Sequence, residues 1–315
     1  MPGTLRPIAT LAGMKRPVSP LPQRNGLDAA RVRLPMDGTW TTVRDHLVHR
    51  LHRLEPARID EMVAAGRFVT ANGPVTPDTP YVPGDFVWFH RDLPQEVPVP
   101  FDIGIVYRDD DLVVADKPHF LATIPRGKHV MQTALVRLRD ELGLPELSPV
   151  HRLDRVTAGL LMFTVRRQLR GPYQNLFRDR AVHKEYEAIA PYDPELTLPR
   201  TVRSRIVKRR EVVTAEEVPG EPNAETYVEL LEHRDGLGRY RLVPATGRTH
   251  QLRVHLASLG VPIVGDSFYP VTYETALDDF RNPLQLLAKV LEFIDPLTGE
   301  RRRFESRRTL SAWPG

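Results

Sequence analysis

The 315-residue sequence contains no cysteine. That absence excludes disulfides, thiolate nucleophiles, iron–sulfur clusters and thiolate-bound zinc, and leaves oxygen and nitrogen groups to carry any chemistry. Long apolar runs are also missing. No window approaches the about 18 apolar residues of a membrane span, and the N-terminal stretch MPGTLRPIATLAGMKRPVSPLPQR lacks the apolar centre of a signal peptide. A cytoplasmic protein without membrane association is expected. Acidic residues are scarce at one end: residues 1–53 hold nine Arg or Lys against three Asp, a local charge of +6 in a chain whose total is +4. Such a block is either a solvated tail or a phosphate-binding arm.

With 41% hydrophobic residues the chain can bury a full core in more than one domain. Residues 1–35 are rich in Pro, Arg and Leu without periodicity and read as a basic, mostly irregular arm. Order is expected from residue 36. Val43, Leu47, Leu51 and Leu54 recur at helical spacing, a second short helix stops at Gly66, and strands at 68–70 and 86–89 flank an Asn72-Gly73 turn. These elements delimit a small module over 36–92. The stretch RDLPQEVPVPFD then places an extended linker at 93–102. From 103 to 308, strands outnumber helices and neighbouring strands look like hairpins, leaving a short tail at 309–315. Among the helices expected there, one carries Val130, Leu135, Leu138 and Leu142, one lies near 167–179, and one ends at Gly260. The fold class expected is α+β: a largely antiparallel mixed sheet with flanking helices, preceded by the small α/β module.

The chemistry-bearing run is SPVHRLDRVTAGLLMFTV, where His151, Arg152 and Asp154 lie directly against an apolar strand. A kinase catalytic loop would need His-Arg-Asp contiguous and a glycine-rich loop upstream, and both are missing. A metal site built from His151, Asp154, His250 and His255 is disfavoured, because His250 and His255 are five apart and do not share a helix face. A glycosidase wants paired carboxylates, and only Asp154 sits in a plausible pocket motif. The residues alone leave open an Asp that serves stability through a nearby Arg.

The ordered motifs HRLDRVTAGLLMFT, HKEYEAIA and TGRTHQLRVHLASLGVPIVGDSFY, spanning roughly residues 99–306, resemble the RluA-type pseudouridine synthases. Residues 36–92, with AAGRFVTANG followed by YVPGDFVWF, are similar to the alpha-L RNA-binding module, although the usual serine and arginine at the second helix start are replaced by Pro56, Ala57 and Arg58. Ala158 stands where the family has serine, a change expected to touch loop packing and not chemistry. The resemblance implies an isomerase that converts uridines in structured RNA to pseudouridine, with rRNA ahead of tRNA, needing no cofactor, no metal and no obligatory protein partner. It assigns Asp154 as the essential carboxylate, Tyr186 as the active-site tyrosine beside the base, and Arg253 as the ion-pair partner of Asp154. It further places Leu252 against the base, Arg152 in the space of the extruded nucleotide, and Arg248 and His250 in the loop or on phosphate. Two other classes compete: a catalytically idle RNA-binding or chaperone protein, and a nucleoside hydrolase or glycosidase.

Overall fold

The computed structural model describes residues 17–313, so the first half of the expected arm lies outside the described residues. The chain divides into two compact units, residues 1–94 and 95–315. In the first, β1 (Ala30–Arg33), α1 (Val43–Arg50), α2 (Pro56–Ala64), β2 (Phe68–Thr70), β3 (Gly73–Pro74) and β4 (Phe86–Phe89) form two helices and a four-stranded sheet of order β1-β4-β2-β3. Thr42 caps α1 by accepting from the Asp45 amide, and Pro56 opens α2 where its missing N–H is no loss. Leu47, Ile59, Met62 and Phe68 close the core between helices and sheet. Part of the stretch expected to be irregular is thus a strand: ARVR pairs antiparallel with β4 and leaves Arg31 and Arg33 exposed. Their guanidinium carbons lie 4.9 and 5.9 Å from the Phe86 ring centroid.

The second unit contains β5 (Gly104–Arg108), β6 (Leu112–Lys117), α3 (Ala134–Leu142), β7 (Ser148–Pro149), β8 (Ala158–Thr164), α4 (Arg170–Arg178) and β9 (His183–Pro191). It continues with β10 (Arg200–Val207), β11 (Glu216–Val218), β12 (Ala224–Arg234), β13 (Leu237–Pro244), α5 (Gln251–Ser258), β14 (Leu286–Ile294) and β15 (Arg301–Glu305). One eleven-stranded sheet runs β11-β10-β12-β13-β9-β14-β8-β6-β5, with β15 on β14 and β7 on β8. All named pairings are antiparallel except β8 with β14, as expected of a largely antiparallel mixed sheet. Every residue of β8 is buried because both its faces are covered: Leu161 and Phe163 pack with Leu135 and Leu138 of α3, while Leu160 and Met162 pack with Tyr173 of α4. This explains its unbroken apolar sequence.

Three boundaries differ from expectation. Helix α3 starts at Ala134, not near Val130, because the Thr133 hydroxyl accepts from the Val136 amide and ends the preceding loop. Residues 95–102 form no helix or strand yet belong to the second unit: the Glu96 carboxylate accepts from the amides of Val130, Met131 and Gln132, and Val99 is buried beside α3. The C-terminal stretch is docked too, since Leu310 packs with Ala158, Ile189 and Leu287. That apolar setting suits an alanine at 158.

Candidate active site

The charged cluster lies against β8 because its histidine is part of the sheet's hydrogen bonding. The His151 ring accepts from the Met162 amide through Nε2 at 3.1 Å, and its face stacks on Phe177 at 4.5 Å. Burial, followed by the charge of Lys184, lowers its pKa to about 3, so it is neutral. The following loop is tied from the other side by residues 117–123. Thr123 Oγ1 donates to the Leu153 carbonyl and accepts from its amide, at 2.8 and 3.1 Å. His119 Nδ1 lies 2.7 Å from the Val156 carbonyl. Lys117 is fully buried, and its Nζ donates to the carbonyls of Pro118, Leu121 and Arg155. Burial lowers its pKa to about 7, with the charge of Asp154 acting in the opposite direction. Asp154 therefore sits in a loop whose carbonyls are held on either side of it, with its own side chain 35% exposed to the cleft.

The second wall comes from the start of α5. Gln251 organises the loop before it: its Oε1 accepts from Thr246 Oγ1 and the Arg248 amide, and its Nε2 donates to the Glu225 carbonyl and Thr226 Oγ1. The turn places His250 at φ 58, a left-handed conformation that side chains with a Cβ disfavour. One turn further, Arg253 is 2% exposed and reaches two carboxylates. Its Nε and Nη2 donate to Asp266 at 2.8 and 2.6 Å, while Nη1 lies 3.7 Å from Asp154 Oδ2. Burial lowers the pKa of Arg253, but Asp266 and then Asp154 outweigh it and the net shift is upward. The rings of Phe268 and Tyr269 flank the guanidinium, at 5.0 and 5.3 Å. The expected ion pair is therefore shared, and Asp266 holds the larger part of it. Asp266 can occupy this position because Gly265, at φ 77, passes so close to Pro283 that a Cβ would lie 2.4 Å from its carbonyl oxygen.

The cleft, about 790 Å³, is lined by all seven sequence-assigned residues: Asp154, Tyr186, Arg253, Arg152, Leu252, Arg248 and His250. Tyr186 stands in β9 between β13 and β14 and is partly buried; burial, then the negative charge of Asp154, pushes its phenol pKa up. Leu252 packs into the core cluster beneath the cleft, Arg152 is exposed, and Arg248 Nε donates to the Asn223 carbonyl. Eleven Arg or Lys line the cleft and Asp154 is its single carboxylate among the described residues. That arrangement suits a polyanion presented to one carboxylate, and it does not supply the acid–base pair of a glycosidase. His255 does not join the site: it is buried, with ring nitrogens 2.9 Å from Thr226 Oγ1 and 3.1 Å from Ser204 Oγ. Sequence reasoning missed Asp266, Gln251 and the Lys117–His119–Thr123 ties as parts of the site. Of these, Asp266 has a local signal in VGDSFY, within the third of the ordered motifs.

The family model described as RNA pseudouridylate synthase matches residues 111–258. The dual-specificity RNA pseudouridine synthase RluA of Pasteurella multocida is 32% identical over 204 residues, covering 63% of this chain and 90% of that protein. Ribosomal large subunit pseudouridine synthase D of Haemophilus influenzae is 31% identical over 213 residues, covering 63% of this chain and 65% of that one. Among solved structures, human RNA pseudouridylate synthase domain containing 1 superposes with a TM-score of 0.54 at 26% identity, covering 68% of this chain and 86% of that chain. The chain belongs to the RluA-type RNA pseudouridine synthases. It is accordingly an isomerase acting on RNA, and no helix among its described residues is long and apolar enough to cross a membrane.

Proposed function

We propose that Asp154 is the essential carboxylate of this isomerase and that Tyr186 and Arg253 complete its site. The observation that carries this reading is the placement of Asp154 as the one carboxylate, among the described residues, in a cationic cleft, 3.7 Å from a buried arginine. The reaction breaks the bond from ribose C1′ to uracil N1, turns the base over and joins C1′ to C5, with the C5 proton lost and a proton gained at N1. Asp154 acts on the sugar, either as nucleophile at C1′ or as base toward the 2′-hydrogen. Tyr186 supplies a ring against which the freed base is retained. Arg152, exposed at the mouth, fills the space left by the extruded nucleotide, and Arg248 contacts phosphate.

The first unit serves as an RNA-docking module of the alpha-L kind, with the exposed Arg31 and Arg33 beside the half-buried Phe86 ring as its contact. Structured RNA is the substrate, rRNA ahead of tRNA, a preference supported by the large ribosomal subunit named as the target of the Haemophilus influenzae relative. Cytoplasmic location follows from that substrate. Purified Asp154→Asn assayed on unmodified transcripts tests the central claim: folded protein that binds RNA without forming pseudouridine is expected, and measurable turnover overturns the assignment. Mapping pseudouridine in total RNA from cells with and without the gene identifies the uridine.

A further inference from the structure

The hydrogen bonds around His250 fix which of its ring nitrogens carries the proton. Tyr269 Oη accepts from the Ala215 amide at 2.7 Å and donates its only proton to the Ala215 carbonyl at 3.0 Å. A backbone amide can only donate and a carbonyl can only accept, so these two roles are not exchangeable. His250 Nδ1 lies 2.9 Å from the same hydroxyl and meets its remaining lone pair. The arrangement satisfies all three groups when Nδ1 carries a hydrogen and donates to Tyr269. The other tautomer would take the Tyr269 proton away from the Ala215 carbonyl. Nε2 is then the bare nitrogen, and it faces the cleft 3.8 Å from Asp154 Oδ2. Burial also lowers the pKa of His250, which keeps the ring neutral.

Two acceptors thus look at each other across a gap too wide for a direct hydrogen bond, in the place where the reacting sugar must sit. A nucleotide within an RNA chain has its 3′ and 5′ oxygens esterified, so its sugar offers one O–H donor, the 2′-hydroxyl. The base offers N3–H, but it lies on the far side of the ring from the sugar. Asp154 must come within about 3.5 Å of C1′ or the 2′-hydrogen to act. An acceptor beside that carboxylate therefore meets the 2′-oxygen. We infer that His250 is a specificity-determining residue whose Nε2 accepts the hydrogen bond of the target ribose 2′-hydroxyl, so that the site recognises ribose over deoxyribose at the extruded nucleotide. This rests on the reading of Asp154 as the carboxylate that attacks the sugar.

The test is a cycle of two substrates and three enzymes. A synthetic stem-loop carries the mapped uridine or 2′-deoxyuridine at the same position, and is assayed with wild type, His250→Phe and His250→Gln for both single-turnover rate and KM. Wild type is expected to lose about tenfold in kcat/KM on the deoxy substrate. His250→Phe is expected to lose a similar factor on ribose and nothing further on deoxyribose. His250→Gln, whose Oε1 can replace Nε2 as acceptor, should regain part of the discrimination. Equal rates of wild type on both substrates, or an undiminished deoxy penalty in His250→Phe, overturn the inference. The tautomer is read separately from the imidazole nitrogen resonances of 15N-labelled wild-type protein. Protonated Nδ1 with bare Nε2 supports the inference, and the reverse overturns it even should both variants misfold. Activity in Asp154→Asn would remove the carboxylate assignment and with it the argument that places the 2′-hydroxyl at His250, whereas a dead Asp154→Asn with an additive deoxy penalty would remove the role of His250 alone.

Discussion

Arg253 grips Asp266 with two hydrogen bonds and reaches Asp154 with its one remaining terminal nitrogen. The arginine is thereby oriented by a carboxylate that is fully buried and directed at one that faces the cleft. On the role proposed for Asp154, stability and chemistry draw on different partners of the same side chain, and the two can be separated.

Arg253→Met leaves the Asp266 carboxylate buried without its cation, and Asp266→Leu leaves the buried guanidinium with only the 3.7 Å contact to Asp154. Each is expected to lower stability by about 3–5 kcal/mol. In the double variant both charges are gone, and stability should return to within about 1–2 kcal/mol of wild type. Pseudouridine formation should remain lost, because Asp154 still lacks its arginine. Urea unfolding with single-turnover assays on all three proteins checks this; a double variant that recovers both stability and rate would show that Arg253 matters only structurally.

Two neutral histidines hold the Asp154 loop, and both have lowered pKa values: His151 to about 3 and His119 to about 4, in each case chiefly from burial. Below the ordinary value of about 6.5 the unfolded chain binds protons that the folded chain refuses, so stability falls as pH falls. Each histidine contributes about 1.4 kcal/mol per pH unit across its window, which runs from about 6.5 down to its folded pKa. His151→Gln keeps an acceptor for the Met162 amide, and His119→Asn keeps a donor for the Val156 carbonyl. Unfolding free energies between pH 6 and 4.5 should fall less steeply in either variant than in wild type. Parallel curves would show that the histidines are not the titrating groups.

Gly159 enters β8 at φ 107, and a Cβ there would lie 2.3 Å from the Ala288 carbonyl oxygen of β14. Gly159→Ala is expected to cost about 2–4 kcal/mol, through the strained backbone and the clash with a neighbouring main chain that cannot rotate away. Because this is the one parallel pairing among the named strands and it follows the Asp154 loop, activity should fall with it. A denaturation midpoint equal to wild type would refute the argument.

Removing residues 1–94 should leave a folded enzyme with near-normal turnover at saturating RNA, since residues 95–315 form a compact unit with its own core and cleft. Affinity for long structured RNA should drop, and the slope of log affinity against log salt should become shallower by about 0.7–0.9 for each phosphate no longer neutralised. Salt titrations of both proteins on one RNA measure it. An unchanged slope would mean that the basic N-terminal unit does not clamp RNA.

The elements legible in the sequence were those whose packing repeats along the chain. Val43 and Leu47 gave α1, and the buried run of β8 announced itself by its length. The strands β10 and β11 escaped notice because RTVRSRIV and EEV expose most of their side chains and carry little apolar alternation. β1 was hidden in an arginine-rich stretch, since its partner β4 lies more than fifty residues away. The same distinction divides the site. Motifs pointed to the residues that line the cleft, but the partner of Arg253 is set by the turn at Gly265, and nothing local in HQLRVH indicates it.

The ties from Thr123, His119 and Lys117 to the carbonyls of Leu153, Val156 and Arg155 leave Asp154 little freedom beyond rotation of its own side chain. On the role proposed for Asp154, the carboxylate is a fixed pivot and the uracil is the part that travels. What the cleft has to accommodate is the volume swept by a ring turning over about that pivot, which is larger than the ring in either resting pose. A substituent on the ring edge that fits before and after the turn would still stall it midway. Such an analogue would be held tightly and released unchanged, with the obstruction lying in the space between two well-fitting states.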